Sequence, residues 1–573
     1  MKNGRFIQLK TPFEKDMGNI PYEEYPRPCL QRDSYICLNG KWELLDNGVS
    51  KGFVNVPFAP QSRLSGLDGY EDFDLESFEC KRSFTLPDGF VKDRIFLHFG
   101  ACDQIADVYV NGKRAGGNIG GYLPFSFDIT DLCRNGENEL SVLITDKLDT
   151  DIPYGKQSKK RGGMWYTPIS GIWQTVWLES VPENYIQGIK AQVGIDQATL
   201  TVSGAAGKKE LIFDDENAEL NCEFDGESVT VRPKEVHLWS PEDPYLYRFT
   251  LKTENDSVRS YFALRTVGAE VINGYPRMLL NGKPYFFNGL LDQGYYSDGI
   301  YLPATPEGFK FDILQLKKLG FKMLRKHIKI EPQLFYYYCD VYGMAVFQDM
   351  VNSGKYNFVI DTALPTVFLK KGIHHSASAK RKDLFEKMMK KTTELLYNHP
   401  SVVYYTIFNE GWGQFGEKRM YSLAKALDDS RIWDTTSGWF KTNCSDVESD
   451  HVYFKPVKYK EKPAKLPRVL SEFGGYSYIV PEHTYNPDNN YGYKTYRSAD
   501  ELTDGLCALY ENEVVTAVKR GLCGAVLTQV SDVEDETNGI LTYDRQVVKP
   551  DPERLKKAND AVFKAFEDCT KQS

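Results

Sequence analysis

The hydrophobic period of the chain changes near residue 267, and this change constrains the fold more than any other feature. Before it, short runs alternate apolar and polar residues, as in 106–110, which Asn111-Gly112 follows. Period-two alternation is typical of half-buried strands, and Asn-Gly favours a hairpin turn because both central residues need a positive φ. After it, apolar strands alternate with helical stripes. We therefore predict all-β domains first and parallel βαβ units afterwards.

Length and strand spacing divide the chain into three parts, because 573 residues exceed one hydrophobic core. Residues 1–182 are predicted to form a jelly-roll-like β-sandwich, and residues 183–266 an immunoglobulin-like β-sandwich. Residues 267–573 alternate eight strands with helices, which predicts a C-terminal (β/α)8 TIM barrel. Its first helix is expected to start at Thr305-Pro306-Glu307, with Thr305 capping the first amides.

Two glutamates follow buried-strand patterns in the predicted barrel. Glu410 ends the apolar run 404–410 after the fourth strand, and Glu472 lies in 468–474 at the seventh. Side chains at the C-terminal ends of barrel strands form the active sites of such enzymes, and paired carboxylates suggest glycosidic bond cleavage. The alternative is an ordinary salt-bridged glutamate at a strand end. Asn409 and the Gly-Trp-Gly turn at 411–413 favour the functional interpretation.

Composition excludes several other classes. A net charge of −9 argues against nucleic acid or an anionic membrane as the main partner. The N-terminus lacks the apolar core of a secretory signal, and no run approaches the ~18 apolar residues of a membrane span. The 11 cysteines are scattered without CxxC pairs, which indicates reduced thiols and a cytoplasmic location.

No cofactor or metal is expected. The chain contains no GxGxxG or phosphate loop in the required context. Of the eight histidines only His374 and His375 are adjacent, and they lack partners at metal-ligand spacing. A barrel enzyme that uses a metal is therefore disfavoured, on the ground that no cluster of histidine and carboxylate ligands is visible.

Several motifs in order along the chain resemble glycoside hydrolase family 2, which includes β-galactosidases, β-glucuronidases and β-mannosidases. The most specific are Asn409-Glu410 and the Ser-Glu-Phe-Gly sequence at 471–474. Supporting motifs are Ser-Gly-Ile-Trp-Gln at 170–174, Asn-Gly-Lys-Pro at 281–284, Gly320-Phe321 leading to Arg325, and Asn-His-Pro-Ser-Val at 398–402. The resemblance covers essentially the whole chain and implies a sugar-binding type for the first sandwich.

By this resemblance Glu410 is the general acid/base and Glu472 the nucleophile. A retaining glycosidase needs one protonated and one ionised carboxyl group about 5–5.5 Å apart, and their repulsion raises one pKa. The resemblance implies that Asn409 binds the sugar 2-hydroxyl. Arg325 is expected to keep Glu472 ionised, with a plain barrel salt bridge as the alternative.

Other residues at predicted strand ends are candidates for sugar binding, each with a packing alternative. Tyr453 matches a family tyrosine near the nucleophile, Trp439 is the expected stacking platform, and Trp412 is expected on the aglycone side. Weaker candidates, equally compatible with a supporting role, are Asp292, His327 and Asp349.

The chain departs from the family at three places. The stretch 536–540 lacks the lysine that family β-glucuronidases use for the sugar carboxylate, and its Glu536 should repel a uronate. The sequence at 325–327 differs from that of the large β-galactosidases, and the loop 156–161 is basic where they carry an acid. The acidic run 532–536 is typical of a solvated loop face, with a substrate or cation role left open. The absence of the large enzymes' extra domains suggests a different assembly, expected to be a homo-oligomer.

The sequence thus predicts a retaining, exo-acting β-glycosidase that acts on an oligosaccharide or glycoside, with β-galactosides favoured. A β-glucuronide, β-mannoside or arabinopyranoside is the alternative within the class. A non-catalytic carbohydrate-binding protein is the alternative outside it, disfavoured because a lectin needs neither a nucleophile nor an acid.

Overall fold

The computed structural model describes residues 6–214, 220–357, 359–363 and 377–571. Its sheets confirm the predicted fold class of two antiparallel β-sandwiches followed by an eight-stranded parallel barrel. His374 and His375 lie outside the described residues.

In the first sandwich a six-stranded antiparallel sheet packs on a four-stranded one. Period-two alternation sets the inner face: in Ile105–Val110 every second side chain, Ala106, Val108 and Val110, is buried. The larger sheet contains, in spatial order, Val49–Val56, Gly40–Asp46, Ser77–Thr85, Glu137–Thr145, Ile105–Val110 and Lys113–Ile119. The smaller contains Tyr35–Cys37, Val176–Val181, Arg94–Phe99 and Phe125–Asp128, and Cys102–Asp103 pairs with Gly171–Ile172 beside them.

The second sandwich is smaller and has its own core, which includes Leu200, Val231 and Phe249. One sheet contains Gly188–Val193, Ala198–Ser203, Ser228–Pro233 and Leu220–Asp225, and the other Glu210–Phe213, Tyr247–Lys252 and Ser257–Phe262. A three-stranded unit of Val267–Ile272, Tyr275–Leu280 and Lys283–Pro284 follows. Its Met278 and Leu280 pack against the barrel interior and so cover one end of it.

The barrel strands are almost entirely buried, as expected for parallel strands covered on both faces. In chain order they are β1 (Phe287–Asp292), β2 (Met323–Lys326), β3 (Ala345–Asp349), β4 (Val402–Asn409), β5 (Ile432–Ser437), β6 (Glu448–Val452), β7 (Arg468–Gly474) and β8 (Leu522–Thr528). They are hydrogen-bonded in the order β5-β4-β3-β2-β1-β8-β7-β6. Ser449 on β6 donates its hydroxyl to Thr436 O on β5 at 3.3 Å, where the ring closes.

Helices surround the barrel, although less regularly than predicted. They are α1 (Glu307–Lys318), α2 (Gln333–Tyr342), α3 (Ala379–Leu396), α4 (Glu417–Leu427), α5 (Ala499–Ala508), α6 (Val515–Val518) and α7 (Pro552–Thr570). The fully described connections 438–447 and 453–467, after β5 and β6, contain no helix. Pro306 takes the cap position of α1 and the Thr305 hydroxyl has no hydrogen-bond partner among the described residues, so the predicted threonine cap is wrong.

The N-terminal segment does not stay within the first sandwich. Leu9 and Phe13 belong to the large core that includes the barrel helices, and Gln31 N donates to Arg259 O of the second sandwich at 2.9 Å. This segment therefore ties the three parts together. Within the described residues, no helix combines the length and the apolar character that crossing a lipid bilayer would require.

Candidate active site

The barrel brings Glu410 and Glu472 together at the C-terminal ends of its strands. Glu472 lies within β7, and Glu410 directly follows β4. Glu410 has a left-handed φ of 53°, and this conformation turns the chain out of β4. The Glu410 amide donates to Ser437 O at 3.0 Å. A carboxylate oxygen of each glutamate and a ring nitrogen of His451 lie within 4.8 Å of one another. The two residues that the sequence singled out thus share one site.

Glu472 is held by donors at both carboxylate oxygens. Arg325 Nη1 donates to Oε1 at 3.0 Å, and the Tyr453 hydroxyl donates to Oε2 at 2.5 Å. Burial alone would raise the pKa of Glu472, but His451, Arg325, His327 and the Tyr453 hydroxyl together lower it to about 2. This carboxyl group is therefore ionised throughout the physiological pH range.

Arg325, on β2, is completely buried and connects its own strand to four others. Besides Glu472, its guanidinium donates to Asp349 Oδ1 at 3.0 Å, Asn409 Oδ1 at 2.8 Å and Ser437 Oγ at 2.9 Å. Burial opposes its charge, but Asp349 and Glu472 raise the pKa of Arg325. It orients Glu472 and Asn409 at once.

His451, on β6, lies between the two glutamates, and we did not predict it. Its Nδ1 is 2.7 Å from Glu410 Oε1 and 3.4 Å from Glu472 Oε2. Its Nε2 is 3.4 Å from Arg325 Nη1. Because Arg325 can only donate, this contact favours the tautomer with the proton on Nδ1. The sequence contained a signal for this position of His451. It is two residues before Tyr453, and residues i and i+2 of a strand share a face.

The same three residues overturn one argument from the sequence. Glu410, His451 and Glu472 form a cluster of histidine and carboxylate ligands of the kind that we expected to be missing. Their donor set could hold an ion, but Glu472 is already neutralised by Arg325 at 3.0 Å. A cation bound there would compete with that guanidinium and with the Tyr453 hydroxyl, so the residues fit a reacting pair of carboxyl groups better than a metal centre.

Comparison with known proteins identifies the family. The family model for the TIM barrel domain of glycosyl hydrolases family 2 matches residues 272–561. The chain belongs to glycoside hydrolase family 2. Two further models of this family, the galactose-binding domain-like model and the one described as glycosyl hydrolases family 2, match residues 60–196 and 183–265.

Relatives within family 2 carry different names. A β-galactosidase of Thermoanaerobacter pseudethanolicus is 24% identical over 464 residues, covering 76% of this chain and 58% of that protein. A β-glucuronidase of Canis lupus familiaris is 26% identical over 470 residues, covering 71% and 69%. The solved β-D-glucuronidase of Dictyoglomus thermophilum superposes with a TM-score of 0.74 at 20% identity, covering 94% and 98%, a likeness that establishes the fold alone. The chain spans 58% and 49% of the lengths of the first two curated relatives.

In this family 2 barrel, the three weaker sugar-binding candidates contact protein groups. Asp349 Oδ1 accepts from Arg325, and its Oδ2 is 2.8 Å from His327 Nδ1. Asp292 Oδ2 accepts from Lys326 Nζ at 2.6 Å, and its Oδ1 accepts from the Gly294 amide. Both aspartates have their oxygens occupied, which favours the supporting role.

The two tryptophans differ in position. Trp439 is partly buried, and its ring lies at right angles to that of His451, 5.6 Å between centroids, which suits a platform beside the glutamates. Trp412 is buried, donates Nε1 to Gly354 O at 2.9 Å and packs edge-on against Trp165 of the first sandwich at 5.2 Å. It forms part of a wall between the two domains.

The acidic run after β8 is buried, so its interpretation as a solvated face is wrong. Asp532 pairs with Lys549 Nζ at 2.7 Å, and Glu534 accepts from the Thr167 amide at 2.9 Å. Glu536 accepts from the Tyr166 hydroxyl and from Asn538 Nδ2 at 2.9 Å. The partners at 166 and 167 belong to the first sandwich, so Glu534 and Glu536 join that domain to the barrel mouth.

Proposed function

We propose that the protein is a retaining, exo-acting β-glycosidase in which Glu472 is the nucleophile and Glu410 the general acid/base. One observation carries this proposal: two carboxylates from different strands lie within 4.8 Å of each other, and one of them is held ionised. A separation of about 5–5.5 Å between carboxyl groups is typical of retaining enzymes, whereas inverting enzymes need ~6.5–9.5 Å to admit a water molecule.

In the first step, Glu472 attacks the anomeric carbon while Glu410 donates its proton to the departing glycosidic oxygen. Arg325 and Tyr453 hold the attacking carboxylate in one orientation, which lowers the entropic cost of reaching the transition state. Asn409 Oδ1 already accepts from Arg325 and Ser437, so its Nδ2 is the group that remains for the sugar 2-hydroxyl.

In the second step, water displaces the sugar from Glu472, and Glu410 accepts a proton from that water. Esterification of Glu472 removes its negative charge, so no second carboxylate lies beside Glu410 when it accepts this proton. The Nδ1–H of His451 lies 2.7 Å from Glu410 Oε1 and keeps this carboxyl group in place during the change of role.

We favour β-glycosides of the galacto configuration as substrates, supported by the relative named β-galactosidase. Relatives named β-glucuronidase make a β-uronide the second candidate. Other β-linked pyranosides of the family remain alternatives.

A panel of aryl β- and α-glycosides tests the mechanism. We expect turnover of a β-glycoside with the β-anomer as the first product, measured by NMR. Glu472→Gln should lose several orders of magnitude in kcat, because a neutral amide cannot form the glycosyl-enzyme. Glu410→Ala should be partly rescued by azide, which attacks the glycosyl-enzyme without base catalysis. Exposed Glu553→Gln is the matched control and should retain full activity. Activity that survives Glu472→Gln would overturn the assignment.

A further inference from the structure

Lys156, in the basic loop of the first sandwich, has no role in the mechanism above. Its ammonium forms no ion pair or side-chain hydrogen bond in the described part of the chain. Its side chain is partly buried, and Nζ lies 5.7 Å from the centroid of the Trp165 ring. An ammonium that lies beside an aromatic ring and forms no ion pair with a described carboxylate is a candidate for binding an anionic ligand.

The backbone on one side of Lys156 is fixed to the barrel mouth. The amides of Tyr154 and Gly155 donate to Asn352 O at 3.0 and 3.4 Å. The side chain of Asn352 donates to Trp412 O at 2.7 Å, two residues after Glu410. Lys156 is thereby held at the end of β3 and near the turn that carries the proposed acid/base.

The backbone on the other side of Lys156 connects this residue to the stretch after β8. Lys156 O accepts from the Tyr166 amide at 3.1 Å, and the Tyr166 hydroxyl donates to Glu536. Burial raises the pKa of Glu536, and the Tyr166 hydroxyl and the positive charge of Lys156 oppose that rise. The same charge helps burial to lower the pKa of His327, which follows β2. The ammonium therefore acts on side chains from two sides of the mouth.

This placement changes one expectation from the sequence. The stretch 536–540 lacks a lysine and carries Glu536, which suggested that an anionic sugar would be repelled. Both oxygens of Glu536 are occupied by Tyr166 and Asn538, whereas the ammonium of Lys156 forms no ion pair with any residue that the structure describes. A cation for an anionic sugar is present after all, supplied by another domain.

We propose that Lys156 is a specificity-determining residue that binds an anionic substituent, a carboxylate or a sulfate, on the sugar held by the two glutamates. The inference rests on the proposed glycosidase function and deepens it. Among glycosides of one configuration, the acidic sugar should be preferred over its neutral counterpart, because it alone can form a charge-assisted hydrogen bond with this ammonium.

Matched substrates test the proposal in the full-length protein. The pairs are aryl β-galactoside with β-galacturonide and with β-galactoside 6-sulfate, and aryl β-glucoside with β-glucuronide. We expect the wild type to show a higher kcat/KM for the acidic member of at least one pair. Comparing β-galacturonide with β-galactoside 6-sulfate distinguishes a site for a carboxylate from a site for a sulfate. Lys156→Gln should lower the acidic-to-neutral ratio about 10- to 100-fold, the value of one charge-assisted hydrogen bond. Lys156→Arg should retain part of the preference.

Lys159→Gln is the control within the same loop. Lys159 is exposed and pairs with Asp74 and Glu76, each at 3.2 Å, so its removal should leave the ratio unchanged. The proposal is overturned if the neutral sugar is preferred in every pair, or if Lys156→Gln lowers both members equally. The second result would mean that Lys156 serves only to balance Glu536.

A binding measurement separates this proposal from the proposed function. Calorimetric titration of the wild type and Lys156→Gln with galacturonate, glucuronate, galactose and glucose requires no turnover. If no glycoside is hydrolysed but the free acids bind in a Lys156-dependent way, the glycosidase assignment fails and the anionic site stands. Acids that bind no better than neutral sugars would overturn the anionic site.

Discussion

The hydrogen bond between Tyr453 and Glu472 offers the most direct test of how the site controls its nucleophile. Tyr453→Phe removes only the hydroxyl that donates to Oε2 at 2.5 Å. The ring that stacks on Tyr493, with centroids 3.8 Å apart, is retained, so the shape of the site should be preserved. The hydroxyl is also 2.9 Å from Thr528 Oγ1, a contact that the variant loses without exposing a charge.

The size of the effect follows from the energy of that bond. A hydrogen bond to a charged group contributes ~1.5–3 kcal/mol, and one pKa unit corresponds to ~1.4 kcal/mol. The loss should therefore raise the pKa of Glu472 from about 2 to roughly 3–4. Because the nucleophile acts only when ionised, activity is lost as the pH falls through this pKa. The acidic limb of the variant should thus lie at higher pH than that of the wild type.

The assay is the pH dependence of kcat/KM between pH 3 and 8, which reports the free enzyme. The wild type should stay active down to pH 3, whereas the acidic limb of the variant should enter this range. Tyr510→Phe is the matched control: Tyr510 is buried near Phe473, and its hydroxyl has no hydrogen-bond partner among the described residues. It should leave the acidic limb in place. An acidic limb that does not move in Tyr453→Phe would refute the view that this hydroxyl keeps the nucleophile ionised.

Three further changes test the surroundings of the site. His451→Gln should slow release of the sugar about 10- to 100-fold, because the charge-assisted contact to the acid/base is weakened; a pre-steady-state burst of aglycone would show it. Asp340→Ala should lower the free energy of unfolding in urea by about 3–5 kcal/mol, because buried His399 loses a partner at 2.6 Å. Asp292→Asn should lower it by about 1–3 kcal/mol and leave KM within roughly threefold, because Asp292 pairs with Lys326.

Each of these has an outcome that would contradict it. His451→Gln without a burst and with unchanged kcat would mean that the imidazole only packs beside the glutamates. A stability of Asp340→Ala equal to that of the wild type would show that the buried pair contributes little. A large rise in KM with unchanged stability in Asp292→Asn would restore direct sugar contact for Asp292.

Local patterns predicted the fold class correctly, and they singled out two glutamates that the barrel brings together. The change of period near residue 267 separates sandwiches from barrel, and apolar runs place Glu410 and Glu472 at strand ends. These inferences succeed because burial imposes a short repeat on neighbouring residues. The predicted threonine cap was wrong because Pro306, and not Thr305, occupies the cap position of α1. A sequence pattern does not locate the end of a helix to within one residue.

The contacts that define the site were not visible in the sequence. His451 is 41 residues from Glu410 along the chain, and only closure of the barrel brings the imidazole to 2.7 Å from that carboxyl group. The acidic run looked solvated because its donors, Tyr166 and Thr167, come from a domain about 370 residues earlier.

What the sequence by itself determined was the order of domains, the strands of the barrel and the two glutamates at their ends. The tertiary structure alone decided which groups those glutamates face, and that Lys156 of the first sandwich lies beside the Trp165 ring, with no ion pair among the described residues. The physical reason is that these effects act over different distances along the chain. The repeat that burial imposes on a strand or helix acts over a few residues, whereas ionisation and hydrogen bonding depend on whichever groups the completed fold places within a few ångströms.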